Sequence, residues 1–572
     1  MKRLLIFPLW LLTMSGMLVS AAANLTPPNI LVILADDMGY SDVGCYGGEM
    51  QTPNIDRLAS EGMRLTHLQN GGMCVVSRSS MMTGNYWAKM KIEFGKTPLL
   101  SEELHAAGYR TGLIGKWHLR GDPMDRGFDH FFGFMGGAGE HFSGPKNFRL
   151  DRAPFTDFGP NWYSADAYSD RAIEFIKSAT AESEKKPFFL YLAYQTPHSP
   201  LEAPKADIEK IRGRYLAGWE AVRDARFKRQ KEMGLVPADS ELPNYPKNLP
   251  QWKSLTPAQH DLEDLRMSVF AAMIERMDKG IGRVLQALEA SGQASNTLVI
   301  FMSDNGADSF SSGDQRLLQL DKLPGDAHSN WQLGTGWAYA SDTPWRLYKI
   351  SQHCGGVTTG AIVKWPGVAQ AGRIDNSLLH FVDLMPTFLA AAGQSTANLK
   401  IAGESFLPLL KGQPWQRQEP LYFQFVDNRA IRTPEWTLAE VDGSGWELFH
   451  NPTDPFENNN LAAQKPEVVA DLNARWLKWW LAESGEPNYE PKKTGDEGGY
   501  QPQGDRGSGK PYHPSAMPAK LADHYPVGAK KLSDKSVPTK SASSLSAPGK
   551  FEDEVDAAEE GQLRLFQTGA NN

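Results

Sequence analysis

Two pairs of oxygen-bearing side chains stand at positions that suit metal chemistry. Asp36-Asp37 and Asp304-Asn305 each follow a short apolar run. Carboxylate and amide oxygens are the ligands that calcium and magnesium take and that softer metals do not favour. Each pair alone is also typical of a helix cap or a turn. Their shared position after an apolar run favours one site for a hard cation.

Cationic side chains follow apolar runs or lie near them in the same way. A single His or Lys is usually structural or exposed, but a cluster beside a metal would surround an anionic substrate. The stretch Lys116-Trp117-His118 places two such side chains on one face of an extended segment. The candidate cations are Arg78, Lys116, His118, His198 and Lys349.

Cys74 has two readings at this stage. A small buried thiol or one half of a disulfide suits the composition. Gly71-Gly72 before it and a helix-start pattern after it instead indicate a residue presented at a helix N-terminus, where an anion is stabilised.

The elements that would position these residues alternate along the chain. Short, continuous apolar runs suit strands buried on both faces, as in a parallel sheet covered by helices. Between them lie helical patterns, the clearest with apolar residues three or four apart over residues 262–288. The sequence predicts an α/β fold with a large, mixed, mostly parallel sheet flanked by helices. Ligands bind beyond the carboxyl ends of such strands, so the polar groups should converge there.

The length of 572 residues predicts a large catalytic domain with an accessory module. We assign the catalytic domain to residues 24–400, with a helical insertion at 205–251. Residues 401–490 form a smaller α+β domain with a short antiparallel sheet and one helix near 466–480. Residues 491–572 form an extended or disordered tail, because they lack an apolar period.

Residues 1–23 have the three parts of a secretory signal peptide. Lys2-Arg3 precedes an apolar run from Leu4 to Val19, and small residues follow. The run is shorter than a membrane helix requires, although an uncleaved anchor is the alternative. We therefore expect an exported protein, periplasmic or extracellular, with no membrane span once the signal is removed.

Charge and cysteine content narrow the function classes. A net charge of −8 without a basic stripe removes the electrostatic footprint of a nucleic-acid partner. The three cysteines, Cys45, Cys74 and Cys354, are an odd number for an oxidising compartment, so at least one lacks an intramolecular partner.

Several motifs, in order, resemble one family. Cys74-x-x-Ser77-Arg78 with the following Ser-Ser-Met-Met-Thr-Gly resembles the first signature of the type I sulfatases, in the alkaline phosphatase superfamily. The 205–251 insertion is similar in texture to that of bacterial arylsulfatases. The resemblance spans about residues 28–480. Other matching stretches are Gly108–Leu119, Asn29–Gly44, Thr196–His198, Ser303–Gly306 and Pro344–Lys349 with Gly355-Gly356 downstream.

The resemblance implies a mechanism and a set of roles. Cys74 would be oxidised to formylglycine by a formylglycine-generating enzyme, and its hydrate would attack the sulfur of a sulfate ester. A second hydroxyl on that carbon would then expel sulfate. Lys116 and Lys349 would neutralise sulfate oxygens, His198 would protonate the leaving oxygen and His118 would assist breakdown of the sulfated intermediate. One calcium ion would be bound by Asp36, Asp37, Asp304 and Asn305, and with Arg78 it would stabilise the nucleophile.

Three positions depart from the family pattern. Val76 replaces the usual Pro; it keeps its N–H and favours extended backbone, so the converting enzyme would meet a less pre-organised peptide. Arg120 replaces a Gly and could alter substrate reach. Cys354 replaces a Glu, and it either packs or pairs with Cys45.

Two other functions stay open from the sequence. A phosphoesterase of the same superfamily would use the same oxyanion cradle, although its two-metal members need a second set of His and Asp ligands. A binder of sulfated glycans without catalysis would result if Cys74 were not converted.

Overall fold

The structure is a computed structural model that describes residues 27–181, 186–311, 313–441, 443–489 and 512–527. The predicted signal peptide and most of the predicted tail lie outside these residues. Within the described residues, no helix has both the length and the apolar character needed to cross a membrane.

The centre of the molecule is a mixed, mostly parallel sheet, as predicted. In the described part of the chain it has eleven strands, in the order β10-β2-β9-β8-β1-β7-β3-β4-β5-β6, and β11 also pairs with β2. β1 lies between β7 and β8 and runs parallel to both, whereas β9 is antiparallel to β8 and β2. The strands are β1 Asn29–Asp36, β2 Met63–Gln69, β3 Arg110–Lys116, β4 His130–Phe134, β5 Phe148–Leu150, β6 Ala153–Pro154, β7 Phe188–Pro197, β8 Thr297–Ser303, β9 Thr358–Lys364, β10 Ile374–Asp375 and β11 Leu379–His380.

Both faces of the sheet are covered, which explains the continuous apolar runs. Leu31 and Ile33 of β1 belong to one hydrophobic core, and Ile30, Val32 and Leu34 belong to the other. Alternate side chains of a strand point to opposite faces, so a strand with a core on each side needs apolar residues throughout.

Helices form the two covering layers. The long pattern predicted over 262–288 lies in α8, which extends to Pro257 because Thr256 and Gln259 form a capping box. The helices of this region are α1 Pro53–Glu61, α2 Cys74–Thr83, α3 Trp87–Glu93, α4 Leu100–Ala106, α5 Ser164–Ala181, α6 Lys205–Glu209, α7 Gly218–Glu232, α8 Pro257–Ala290, α9 Asp314–Gln319, α10 Thr335–Ser341, α11 Cys354–Val357, α12 Leu384–Ala391 and α13 Leu407–Leu410. Short 3₁₀ turns span Gly44–Tyr46, Phe94–Lys96, Pro123–Asp125, Trp252–Ser254, Ala294–Asn296, Phe381–Asp383 and Ala519–Leu521.

A separate four-stranded antiparallel sheet follows, as the sequence predicts. Its core includes Leu438 and Leu448 from the sheet and Trp476 from the helix packed against it. The elements are β12 Leu421–Phe425, β13 Asn428–Arg432, β14 Trp436–Glu440, β15 Glu447–His450 and α14 Pro466–Ser484. The 400/401 and 490/491 boundaries remain predictions.

Residues 512–527, within the predicted tail, pack on the main domain in a largely extended form. The Met517 N–H donates to the Ala258 carbonyl, and the Tyr512 hydroxyl donates to Glu263 at 3.0 Å. The Arg212 Nε donates to the Tyr525 carbonyl. This segment therefore joins the start of α8 to the 205–251 insertion.

Candidate active site

The polar groups that follow the central strands converge at one buried point. Lys116, the last residue of β3, donates from Nζ to Asp36 Oδ2 at 2.8 Å. Lys349 donates from Nζ to Asp37 Oδ2 at 2.9 Å. Because β1, β3, β7 and β8 are parallel, their carboxyl ends meet at one edge, and residues far apart in sequence become neighbours there.

Arg78 binds the third carboxylate of the cluster. Its Nε and one terminal nitrogen donate to Asp304 Oδ2 at 2.9 and 2.8 Å. The other terminal nitrogen donates to the Lys116 carbonyl at 3.0 Å and to the Tyr191 hydroxyl at 3.3 Å. Arg78 is fully buried, so these bonds fix its planar group against the carboxylate cluster.

The oxygen ligands present a set that fits a hard cation. Asp36 Oδ1 and Asn305 Oδ1 are buried and accept no hydrogen bond. Ligand atoms of Asp36, Asp37 and His198 lie within 4.8 Å of one another, and so do those of Asp36, Cys74 and Asp304. Buried oxygens without partners are costly, and a bound cation would satisfy them.

The electrostatics of the carboxylates support the same reading. Burial and the neighbouring Asp36 raise the pKa of Asp304 to about 7. Burial alone would raise the pKa of Asp36, but Lys116, His198 and Arg78 hold it below its ordinary value. A cation among these carboxylates would relieve their mutual repulsion.

Cys74 is the first residue of α2, as the sequence pattern predicts, and it is fully buried. The preceding turn is held by a hydrogen bond from the Gly71 N–H to Ser77 Oγ at 2.8 Å. The helix start therefore presents position 74 to the carboxylate cluster, where the N-terminal partial positive charge stabilises an anion. Val76 lies in the first turn of this helix.

His198 lies directly after β7, and its contacts establish that one ring nitrogen is protonated. Its Nδ1 is 2.6 Å from the Ser199 carbonyl, which can only accept, so Nδ1 carries a proton. Its Nε2 is 3.6 Å from Asp37 Oδ2 and 3.5 Å from Lys349 Nζ. Burial lowers the pKa of His198, but Asp37 and Asp36 outweigh it and raise the value to about 9.

His118 is also at this edge. It is buried two residues after β3, with a backbone φ of 53°. Left-handed backbone is uncommon for a residue other than glycine, and it tends to occur at functional sites.

Asp342 links two turns of the site, and no sequence motif indicates it. Asp342 is fully buried, and its carboxylate accepts from the Ala307 N–H at 3.1 Å and the Tyr40 N–H at 3.4 Å. It thereby joins the turns that follow the two pairs of oxygen ligands. Gly306 is required in one of these turns, because a Cβ there would lie 2.0 Å from the Gly355 carbonyl oxygen.

The structure shows the contacts of Cys354 and Arg120, two residues that depart from the family pattern. Cys45 and Cys354 are buried and not bonded to each other, so the alternative in which Cys354 pairs with Cys45 is wrong. Cys354 packs at the start of α11, where its N–H donates to Glu457 at 3.1 Å. Arg120 donates to the Lys91 carbonyl at 3.3 Å.

Comparison with known proteins identifies relatives that match residues 28–479. The family model described as Sulfatase matches residues 28–394, and the model described as N-sulphoglucosamine sulphohydrolase, C-terminal, matches residues 351–479. An arylsulfatase of Klebsiella aerogenes is 33% identical over 429 residues, covering 68% of this chain and 91% of the relative. An uncharacterized sulfatase of Schizosaccharomyces pombe is 32% identical over 527 residues, covering 80% of this chain and 94% of the relative.

The fold is also similar to that of a solved structure. Ps i-CgsB in complex with k-i-k-neocarrahexaose superposes with a TM-score of 0.61 at 26% identity, over 82% of this chain and 96% of that one.

Proposed function

Because the chain belongs to the sulfatase family, in the alkaline phosphatase-like superfamily, and is a sulfuric ester hydrolase, we propose that it works through a formylglycine at position 74 and one calcium ion. The observation that carries the proposal is the convergence of Cys74, Arg78 and the oxygen ligands at one buried point. The residues that would surround the ester sulfate are Lys116, His118, His198 and Lys349.

The metal would be held by four oxygen ligands at the carboxyl ends of β1 and β8, namely Asp36, Asp37, Asp304 and Asn305. When bound, it supplies positive charge that stabilises an oxyanion. Arg78 adds a fixed cation beside it, because its guanidinium is already oriented by Asp304. Lys116 and Lys349 each hold an ammonium group within 3 Å of a ligand carboxylate, close enough to neutralise sulfate oxygens.

Oxidation of Cys74 to formylglycine replaces a buried thiol with an aldehyde whose hydrate carries an attacking hydroxyl. Position 74 suits this role because it begins a helix beside the carboxylate cluster. The chain itself does not supply the oxidation, so maturation requires the formylglycine-generating enzyme as a partner.

His198 is the proposed acid. Its Nδ1 proton is committed to the Ser199 carbonyl, so Nε2 is the nitrogen that gives a proton to the leaving oxygen. Against the effect of burial, the neighbouring carboxylates of Asp37 and Asp36 raise the pKa of His198, which favours the protonated ring. The proton transferred to the leaving group lets it depart as a neutral alcohol or phenol.

The test combines mass spectrometry with activity. The tryptic peptide from Leu65 to Arg78, taken from protein made in its own host or with the converting enzyme, should show the loss of sulfur and two hydrogens and the gain of one oxygen. Cys74→Ala should abolish hydrolysis of 4-nitrophenyl sulfate, whereas Cys45→Ala is the matched control and should retain it. An unmodified thiol with binding of sulfated glycans and no sulfate release would instead support the non-catalytic binder.

The rival activity is phosphoester hydrolysis. Within the described residues, both groups of possible metal-ligating side chains share Asp36, so they form a single site rather than two separate ones. Two-metal phosphoesterases need a second ligand set. Rates on matched aryl sulfates and aryl phosphates would distinguish the activities, and faster phosphate release would contradict the proposal.

For substrates we propose aryl sulfates or sulfated carbohydrates. The relatives include the Klebsiella arylsulfatase and the human N-acetylgalactosamine-6-sulfatase, which is 28% identical over 506 residues. Sulfate release should be compared for 4-nitrophenyl sulfate and a panel of sulfated mono- and oligosaccharides. We also propose export to the periplasm or beyond, and N-terminal sequencing of the mature protein should find cleavage after Ala23.

A further inference from the structure

The main chain of His198 is held by a second, fully buried histidine. His141 Nε2 lies 3.0 Å from the His198 carbonyl oxygen. On the other side of the ring, His141 Nδ1 lies 2.8 Å from Ser164 Oγ. The imidazole of His141 is therefore wedged between the start of α5 and the peptide that carries the proposed acid.

These contacts assign the proton of His141. A carbonyl oxygen only accepts hydrogen bonds, so Nε2 donates to His198. The ring is buried and its pKa is lowered to about 4 by that burial, so it is neutral near pH 7. In the neutral ring with Nε2 protonated, Nδ1 is an acceptor, and Ser164 Oγ donates to it.

The surroundings of His141 make this ring rigid. Its N–H donates to the buried carboxylate of Glu202 at 2.7 Å, and its carbonyl accepts from the Ser164 N–H at 2.9 Å. The ring stacks on Tyr163 with centroids 5.8 Å apart and planes 27° apart. His141 is fixed through its main chain and its side chain, so it can fix another group in turn.

We propose that His141 is a positioning residue for His198, a role that rests on the proposed function of His198 as the acid. The His141 bond holds the 198–199 peptide, and the carbonyl of Ser199, next along the chain, orients His198 Nδ1. The two carbonyls lie on adjacent peptide units, so the backbone that His141 holds also determines where Nε2 points. The side chain of His141 reaches His198 through the main-chain carbonyl, not through the ring.

The test uses leaving groups of different acidity. His141→Leu keeps similar bulk and removes the donor, whereas His141→Gln places an amide nitrogen near the position of Nε2. General acid catalysis contributes about 10²–10⁴-fold, and a poor leaving group needs it most. In His141→Leu, kcat/KM for phenyl sulfate should fall roughly 10–100-fold, and that for 4-nitrophenyl sulfate should fall less than about threefold. His141→Gln should recover most of the loss on phenyl sulfate.

A double-mutant cycle separates positioning from general support of the fold. If His141 acts through His198, His141→Leu should have no further effect on phenyl sulfate hydrolysis in a His198→Ala background. All rates are divided by the fraction of converted Cys74. Ser164→Ala removes one of the two donors to Nδ1, the other being Gln195 Nε2 at 3.3 Å, and is a milder variant should His141→Leu fail to fold. It should give a smaller loss with the same preference.

The outcomes distinguish this role from the proposed function. An equal loss on both esters, or additive losses in the cycle, would overturn the positioning role while the sulfatase mechanism stands. A fully converted wild-type protein that hydrolyses neither ester would overturn the proposed function and this role with it.

Discussion

The sharpest stability prediction concerns Arg226, which ties α7 to the chain just after β1. It donates to Asp42 Oδ1 at 2.6 Å and makes two bonds of 2.8 Å to the Glu49 carboxylate. Arg226 and Asp42 are fully buried. Replacing Arg226 with Met removes the charge, leaves the buried Asp42 without its cationic partner and leaves Glu49 with only the Arg229 contact at 3.5 Å. Breaking a buried ion pair in this way costs about 3–5 kcal/mol, so we expect a loss of this size in the free energy of unfolding at pH 7.

The pH dependence supplies a second signature. Burial acts to raise the pKa of Glu49, but Arg226 outweighs burial and lowers that pKa from 4.5 to about 2. Because the folded-state pKa is depressed, this contribution is fully present above pH 4.5 and is lost as the pH falls toward 2. It amounts to about 3 kcal/mol in all, of which about 0.8 kcal/mol is lost between pH 7 and pH 4. The difference in stability between wild type and Arg226→Met should shrink by at least about that amount, because burial without Arg226 raises the pKa of Glu49 in the variant.

Urea unfolding followed by tryptophan fluorescence at the two pH values measures both effects. Lys228→Met is the matched control, because Lys228 lies on the same helix with a side chain 79% exposed, and we expect it to change stability by less than about 0.5 kcal/mol. If Arg226→Met lost under about 1 kcal/mol, or no more than the control, the reasoning that this buried charge network holds α7 would be refuted.

Three further predictions concern the metal, the backbone and the thiols. Calcium at about 100 times its Kd should stabilise the wild type by about 2.7 kcal/mol in calorimetry, and an equal gain in Asp304→Asn would contradict the assigned ligands. Gly306→Ala, whose Cβ would meet a main-chain oxygen at 2.0 Å, should weaken calcium binding in titration calorimetry, while Gly95→Ala, with nothing within 4 Å, should not. Alkylation of the denatured, unreduced protein should modify both Cys45 and Cys354, because no disulfide protects them; a protected pair would count against the structure.

The central strands could be predicted because each is buried on both faces. β1, β3, β7 and β8 appear in the sequence as apolar runs that stop at polar groups, and each run lies in a strand of the central sheet. The position of β9 between β8 and β2 could not be predicted, because strand order and direction depend on contacts between distant segments. β15 is also difficult to predict, because its four residues are few and its two buried ones, Leu448 and Phe449, are consecutive and give no alternating pattern.

The site residues also differ in whether the sequence predicts them. The oxygen ligands and cations could be predicted, because their residue types suggest chemistry and they lie at the ends of strands. Asp342 was not, since its role comes from accepting hydrogen bonds from two turns that only the fold brings together. The packing of residues 512–527 could not be predicted from the sequence either, because it depends on isolated contacts such as those of Tyr512 and Met517 rather than on an apolar period.

The complete burial of Cys74 has a consequence for the order of events during synthesis. An enzyme that reads the residues around Cys74 as an extended peptide has no access once α2 is packed, so the oxidation that we propose must come before folding finishes. Asp304, which binds Arg78 of this helix, lies 226 residues after it in the chain. At roughly 5–20 residues per second, the ribosome needs about 10–45 s to make that length. The late strand β8 thus sets a time window in which position 74 can be modified, and a chain that finishes folding after this window without modification would keep Cys74 as a buried thiol.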